Sequence, residues 1–358
     1  MVWGSDTPAS VFSSGAPWQK PLHEVPPDRT ADLDSVRCPL VSKCGMEDMT
    51  FDSAMLFEHM QIFHRASVRP RTENPSTDPT PEELEDVKLA CSKLWSLDSN
   101  RLVPGEDFSL NIGDGKFIWD AEDGEDASLF EYVSDKVWRR DTFRAFMRLL
   151  DNYNASTEHE DRLSKSEVRE SYEFLDEIMD EDVMKYVHKY LIKVGKAPTS
   201  ESAFIKQLFK IWFYSYGRGE ARNASSGFEH VFVGELDTKS GEQEVVGLHN
   251  WIQFYFLECA KKLDYRGYVL PRKRGGGDSP DGDEQYLSVQ FKWEGEVKPV
   301  SGMFVGVSPE FEFALYTLLY YCGEDHNDLE LGDMLLNVRV YRLDRIGCIS
   351  SAFPENRN

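Results

Sequence analysis

Basic residues are scarce in this chain: 40 Lys and Arg stand against 63 Asp and Glu, a formal charge of −23 over 358 residues. Such a surface repels nucleic acid and anionic membrane. That excludes a general nucleic-acid coat protein, and a polyanion would have to be held in a locally basic cleft. Long apolar runs are missing as well. None approaches the ~20 residues that cross a bilayer, and the opening MVWGSDTPASVFSSGAP has neither a basic start nor an apolar core. Neither a membrane span nor a secretory signal is expected. Cysteines number only six, with Cys91, Cys259, Cys322 and Cys348 scattered. Free thiols in a reducing compartment, cytoplasmic or nuclear, fit them better than a disulfide framework. What remains is a chain long enough and apolar enough for two or three domains and a sizeable core.

Residues 1–34 are rich in Pro, Ser, Asp and Gly without a period and read as a disordered leader. From 35 to 66 the character changes. Cys38 and Cys44 precede His59 and His64, two thiolates and two imidazoles in the order a tetrahedral zinc site uses, with Phe51 and Leu56 between them as a small core. The segment resembles the Cys2His2 zinc-finger family, although its Cys spacing and its central spacing both exceed the common pattern. Its partner is a protein or a nucleic acid. Residues 67–81 (SVRPRTENPSTDPTP) form a linker by composition.

Amphipathic runs follow at 126–133, 141–152, 164–179 and 183–194, after a helical start at Pro81. Ser164 and Glu167 have the form of a capping box. Residues 203–216 (AFIKQLFKIWFYSY) make the most apolar helix. The acidic faces read as solvated surface; the cluster 120–126 lacks the spacing of an EF-hand loop. After Arg218 the pattern turns to strands: a hairpin over 228–249, a helix over 250–263, a basic loop with Arg272, Lys273 and Arg274, a strand over 286–293 that returns at 303–307, a helix from Ser308 to about Tyr321, and a last strand over 336–343. The expected class is α+β: a helical lobe over 82–218, a catalytic lobe of antiparallel hairpins with packed helices over 219–354, and the small finger-like appendage.

The stretch GFEHVFVGE at 227–235, followed by GLHNWI at 247–252, carries the chemistry. Alternation over 228–233 predicts a strand. If Glu235 faces Gln243 across the DTKSG turn, the register sets His230 beside Leu248 and His249. On the same parity, Glu229 and Glu235 project away from His230. Two imidazoles that titrate near neutral pH can divide acid and base work.

These motifs resemble the EndoU family of uridylate-preferring endoribonucleases. The first histidine motif is similar to 226–235 and the second to 247–252. The lysine motif resembles WEGEVK at 293–298 with FVGVSPEFE at 304–312, and LWSLDSNR at 94–101 and LLDNY at 149–153 resemble the helical lobe. The resemblance spans residues 83–354. It implies cleavage of single-stranded RNA at uridylates, with the 2′-hydroxyl attacking the phosphorus to leave a 2′,3′-cyclic phosphate. By resemblance His249 is the general base, His230 the general acid and Lys298 the electrostatic stabiliser; the residues themselves leave the two His roles interchangeable. Ser308, Ser351 and Phe353 match substrate-contacting positions, the last two standing where the family commonly has Thr and Tyr. Glu229 and Glu235 stand where the family has acids, and manganese or calcium is implied for some members. The alternatives are an RNA-binding module without activity and a zinc-finger regulator.

Overall fold

The computed structural model of the chain describes residues 76–357 apart from 114, 120–127, 219–220, 240 and 271–283, together with the backbone of two short strands. Those strands, β1 (Val36–Arg37) and β2 (Thr50–Phe51), pair antiparallel. Cys38, Cys44, His59 and His64, the leader, most of the linker, the acidic cluster at 120–126 and the basic loop at 272–274 lie outside the described residues. The chain divides into two compact units, Met1–Pro75 and Ser76–Asn358.

Within the second unit, several helices begin at side-chain caps that the sequence supplies. Thr80 and Glu83 close a capping box on α1 (Pro81–Glu85), which leads into α2 (Val87–Leu97). Strands β3 (Phe108–Leu110), β4 (Gly115–Lys116) and β5 (Phe130–Val133) follow. Then come α3 (Asp141–Met147), α4 (Lys165–Met179), α5 (Asp182–Lys193) and α6 (Glu201–Phe213). The box at Ser164 and Glu167 is present at the start of α4. Two hairpins, β6 (Tyr216–Arg218) with β7 (Ala221–Ser225) and β8 (Glu235–Lys239) with β9 (Glu242–Val246), flank a π-helical turn at Glu229–Val233. The chain continues through α7 (Trp251–Cys259), β10 (Leu263–Val269), β11 (Tyr286–Trp293), β12 (Glu296–Phe304), α8 (Pro309–Cys322), β13 (His326–Leu331), β14 (Met334–Leu343) and β15 (Cys348–Asn356).

The fold is mixed α+β. One sheet runs β12-β11-β10-β4, antiparallel except where β4 joins β10 in parallel; a second, β13-β14-β15, is wholly antiparallel. The helices α3, α4, α6 and α8 and the π-helical turn share an aromatic core. Phe228 lies 5.6 Å from Phe146 and 4.9 Å from Phe213, and Trp212 stacks on Phe313 at 4.6 Å. The indole N–H of Trp212, fully buried, donates to Thr317 Oγ1 at 2.9 Å, so its polar edge is satisfied inside the core.

Several expectations are corrected. The run at 126–133 is not helical: its described end forms β5, because Phe130-Glu131-Tyr132-Val133 is aromatic and β-branched and pairs with β3. Residues 228–233 are not a strand. Phe228 and every residue from His230 to Val233 are buried, so the alternation there carries no facial information. The backbone closes helically instead: His230 N donates to Ser226 O at 3.0 Å and Gly234 N to Glu229 O at 2.9 Å. The hairpin register is Glu235 with Val246, three positions away from Gln243, which faces Thr238. The helix after Asn250 stops at Cys259, and Leu263 opens β10.

Candidate active site

Gly234, at φ +92°, ends the π-helical turn and releases the chain into β8. The hairpin β8–β9 then returns the backbone to the same turn. Gly247 (φ +65°) and Leu248 (φ +57°) reverse its direction, so that Leu248 N donates to His230 O at 3.1 Å and His249 N to Val231 O at 2.9 Å. His230 thus lies beside Leu248, although a helical turn and not a strand brings it there. Gly247 is required at this crossing: a Cβ on it would sit 1.8 Å from the carbonyl oxygen of His230.

The two imidazoles are both nearly buried, 5% and 6% exposed, and their Nδ1 atoms meet different partners. His230 Nδ1 is 2.6 Å from Glu235 Oε2. The same carboxylate oxygen lies 3.3 Å from Arg218 Nε, and Glu235 is fully buried. The expectation that Glu235 projects away from His230 is therefore overturned: strand parity does not apply across a helical turn and a left-handed glycine. Glu229 is buried as well, with its Oε1 unpartnered among the described residues. Burial first, then the charges of Glu235 and Asp161, push its carboxyl well above the usual range.

His249 Nδ1 lies 3.0 Å from the carbonyl oxygen of Gly302 and 3.0 Å from Ser301 Oγ. A carbonyl oxygen only accepts, so Nδ1 carries the proton and Nε2 of the neutral ring keeps its lone pair. Ser301 Oγ also donates to Leu248 O at 3.0 Å, which leaves its oxygen lone pairs for that Nδ1–H. Burial, then the charges of Lys298 and His230, hold His249 well below the ordinary imidazole range. His230 is lowered too, by burial first, but its bond to Glu235 works in the opposite direction.

Lys298 rises from β12, paired with Phe291, and is 8% exposed. Its ammonium donates to the carbonyl oxygen of Gly247, at the turn that carries His249. Burial lowers it to about 7. The charge of Lys298 depresses both histidines, and that of His230 depresses His249. Groups that repel one another's protons in this way share one small region.

The strand β15 closes the site. Gly302 lets it approach: a Cβ there would fall 2.0 Å from Pro354 O. Phe353 stacks on the His249 ring at 4.5 Å and 16°. Ser351, two residues away on the same face, is half-buried and pairs with Tyr341 on β14. Arg218 Nη2 donates to Ser350 O at 2.8 Å, so one guanidinium holds both the carboxylate behind His230 and this strand. Ser308 does not join the group. Its hydroxyl caps α8 by accepting from Phe311 N at 3.1 Å, its amide donates to Asp98 Oδ2 at 3.2 Å, and it has no exposed surface.

Sequence reasoning missed Arg218, Ser301, Gly247 and Gly302. Arg218 bonds locally to Tyr216 and Ser225, but nothing local signals its place in the site, because the partners that put it there, Glu235 and Ser350, are 17 and 132 residues away in sequence. Ser301 had one: it follows Lys298 by three positions on the same hairpin strand. Among the described residues, no three His, Cys, Asp or Glu side chains are grouped so as to hold a metal, and no helix is long and apolar enough to cross a membrane.

The model of Endoribonuclease XendoU, a protein family, matches residues 86–354. A Poly(U)-specific endoribonuclease-A from Xenopus laevis is 40% identical over 279 residues, 75% of this chain and 93% of that protein. Uridylate-specific endoribonuclease B of Danio rerio is 41% identical over 240 residues, 66% of this chain and 83% of its own length. The solved structure of XendoU, described as a splicing independent snoRNA processing endoribonuclease, superimposes with a TM-score of 0.65 at 37% identity, over 78% of this chain and 99% of that one. Two differently partnered imidazoles and a buried lysine thus lie within a match that runs through both lobes, and the chain belongs to the XendoU family of endoribonucleases.

Proposed function

We propose that this chain cleaves single-stranded RNA at uridylates by attack of the 2′-hydroxyl on the adjacent phosphorus. His249 Nε2, the free lone pair of a neutral ring, takes the 2′-hydroxyl proton. The O2′–P bond forms as the P–O5′ bond breaks, and His230, the imidazole with a carboxylate behind it, gives its Nε2 proton to the departing O5′. A 2′,3′-cyclic phosphate and a 5′-hydroxyl result, with no bond to the enzyme. Lys298 offsets the charge that grows on the non-bridging oxygens.

The observation that carries the assignment is the difference between the Nδ1 partners. Glu235 stabilises an imidazolium at His230, whereas at His249 no carboxylate stands behind Nδ1: burial and the neighbouring cations favour a neutral ring, and Gly302 O fixes which nitrogen of that ring holds the proton. Uridylate preference is supported by the names of the relatives and by the ring of Phe353 on His249, with Ser351 two positions away on the same strand. No step runs through manganese or calcium, for which no ligand cluster is formed among the described residues. Zinc at Cys38, Cys44, His59 and His64 is a separate proposal resting on ligand type and order, and zinc content of the full chain before and after alkylation of the thiols tests it.

Incubation with an oligoribonucleotide holding one uridine among adenosines tests the reaction. Cyclic-phosphate ends at the uridine are expected, and a 2′-deoxyuridine at that position should abolish the cut. Cleavage of the deoxy substrate would refute internal attack.

A further inference from the structure

The sheet β13-β14-β15 has two unlike faces. Leu329, Leu331, Leu336, Val338, Val340 and Ala352 turn inward and are buried. The alternate positions turn outward, and cross-strand pairing fixes which of them are neighbours. Arg339 stands opposite Phe353 and Tyr341 opposite Ser351. The outward face therefore begins at the catalytic pair: the ring of Phe353 lies on His249 at 4.5 Å, and the ring of Tyr341 follows 6.4 Å beyond Phe353.

Tyr341 is held in place. Arg339 is pinned by Glu355, with Nη2 at 2.6 Å and Nε at 2.8 Å from Oε1, and its Nη1 donates to the Tyr341 hydroxyl at 3.4 Å. The far end of the ring is thus fixed by a guanidinium that is itself fixed, and Tyr341 is only half-buried. A residue of this kind offers stacking area at little entropic cost.

We infer that Tyr341 is a nucleotide subsite: a base adjacent to the cleaved linkage stacks on its ring, with Arg339 as the positioning residue. The inference rests on the endoribonuclease reading, because the occupant is chosen by continuity with the catalytic histidines. The charge of the molecule points the same way. A chain of net charge −23 gains little from phosphate contacts at large, so its hold on flanking nucleotides has to come from base stacking, which is indifferent to the acidic surroundings. Stacking also tolerates any base, so the subsite adds affinity without adding sequence preference at the flank.

The test is a cycle of two changes. Oligonucleotides with one uridine carry an abasic residue immediately 5′ or immediately 3′ of that uridine, and kcat/KM is compared with that of the full-base substrate. For the wild-type chain, one of the two abasic substrates should be slower by roughly 5- to 100-fold, the range one base–aromatic stack covers. The same abasic change should slow Tyr341→Ala by less than about twofold, because the partner ring is already gone. Tyr341→Phe keeps the ring but loses the hydroxyl that Arg339 holds, so its abasic penalty should fall between those of the wild type and Ala, and Tyr341→Leu, which keeps apolar bulk without a ring, should behave as Ala. Equal abasic penalties in wild type and variants, or no penalty at either flank, would overturn the subsite and leave the face to a protein partner. A wild-type chain that cleaves none of the substrates would instead overturn the nuclease reading beneath it.

Discussion

Replacing Glu235 by Gln isolates the one charge that distinguishes His230 from His249. The carboxylate is fully buried and accepts from His230 Nδ1 at 2.6 Å. Glutamine keeps the length and an accepting oxygen but removes the charge. A charge-assisted bond is about twice as strong as a neutral one, a difference of about 1–2 kcal/mol. That difference falls on the imidazolium form of His230 alone, since the neutral ring loses little. Burial and the charges of Arg218 and Lys298 then act on His230 unopposed. The protonated fraction at neutral pH drops, and kcat should fall roughly 5- to 30-fold above pH 7. The sign is fixed by the role. An acid must hold its proton, so the alkaline limb of the pH–rate profile moves to lower pH, and wild type and variant converge as pH falls. The assay is kcat against pH from 5 to 9 on a fluorogenic oligonucleotide with one uridine, with thermal melting to confirm folding. A loss that is the same at every pH would refute the reasoning, because it would mean that Glu235 holds the fold and does not tune His230.

Three further outcomes follow from the same geometry. Lys298→Ala should lower kcat about 100- to 1,000-fold at pH 6, the loss typical of one charge-stabilising donor. Because burial brings the Lys298 ammonium to about 7, the deficit should shrink by pH 8, where the wild-type group has shed its charge. Gly302→Ala should push β15 off β12, since the new methyl would overlap Pro354 O. A loss of about 1–3 kcal/mol in chemical denaturation is expected, together with a rise in KM as Phe353 leaves His249. Glu310, 1% exposed, has an unpartnered Oε2, and its carboxyl is raised to about 8 by burial and then by Asp98. Folded chains hold that proton between pH 4.5 and 8 while unfolded ones release it, so stability falls as pH rises through this window. Glu310→Gln should remove its share of the slope, roughly 2–4 kcal/mol between pH 5 and 8, read as a smaller pH dependence of the denaturation midpoint.

How much of this was legible without coordinates depends on the range of the interactions. The helix starts were, because caps are local: Ser164 with Glu167, and Ser308 with Pro309, announce α4 and α8 within four residues. The nearness of His230 and His249 was legible as well, but for a mistaken reason. Periodicity cannot separate a buried helical turn from a buried strand when residues 230–233 are all inside. The side-chain geometry inherited that error, and Glu235 was directed away from the imidazole it contacts. The strands β13 and β15 escaped notice because β13 is polar along one face and β15 holds Pro354, which argues against a strand unless it lies at a sheet edge, as it does here. Arg218 was beyond reach altogether: it ties together Glu235 and Ser350, and nothing near it in sequence announces either.

The most direct measurement of the central claim is a crystal structure of the full chain with a 2′-deoxyuridine dinucleotide, which binds but cannot react. The account predicts the phosphate between the two imidazole Nε2 atoms and within hydrogen-bond reach of the Lys298 ammonium, with the uracil against Phe353. A phosphate seated elsewhere, with His230 and His249 still turned to Glu235 and Gly302 but touching no part of the dinucleotide, would contradict it.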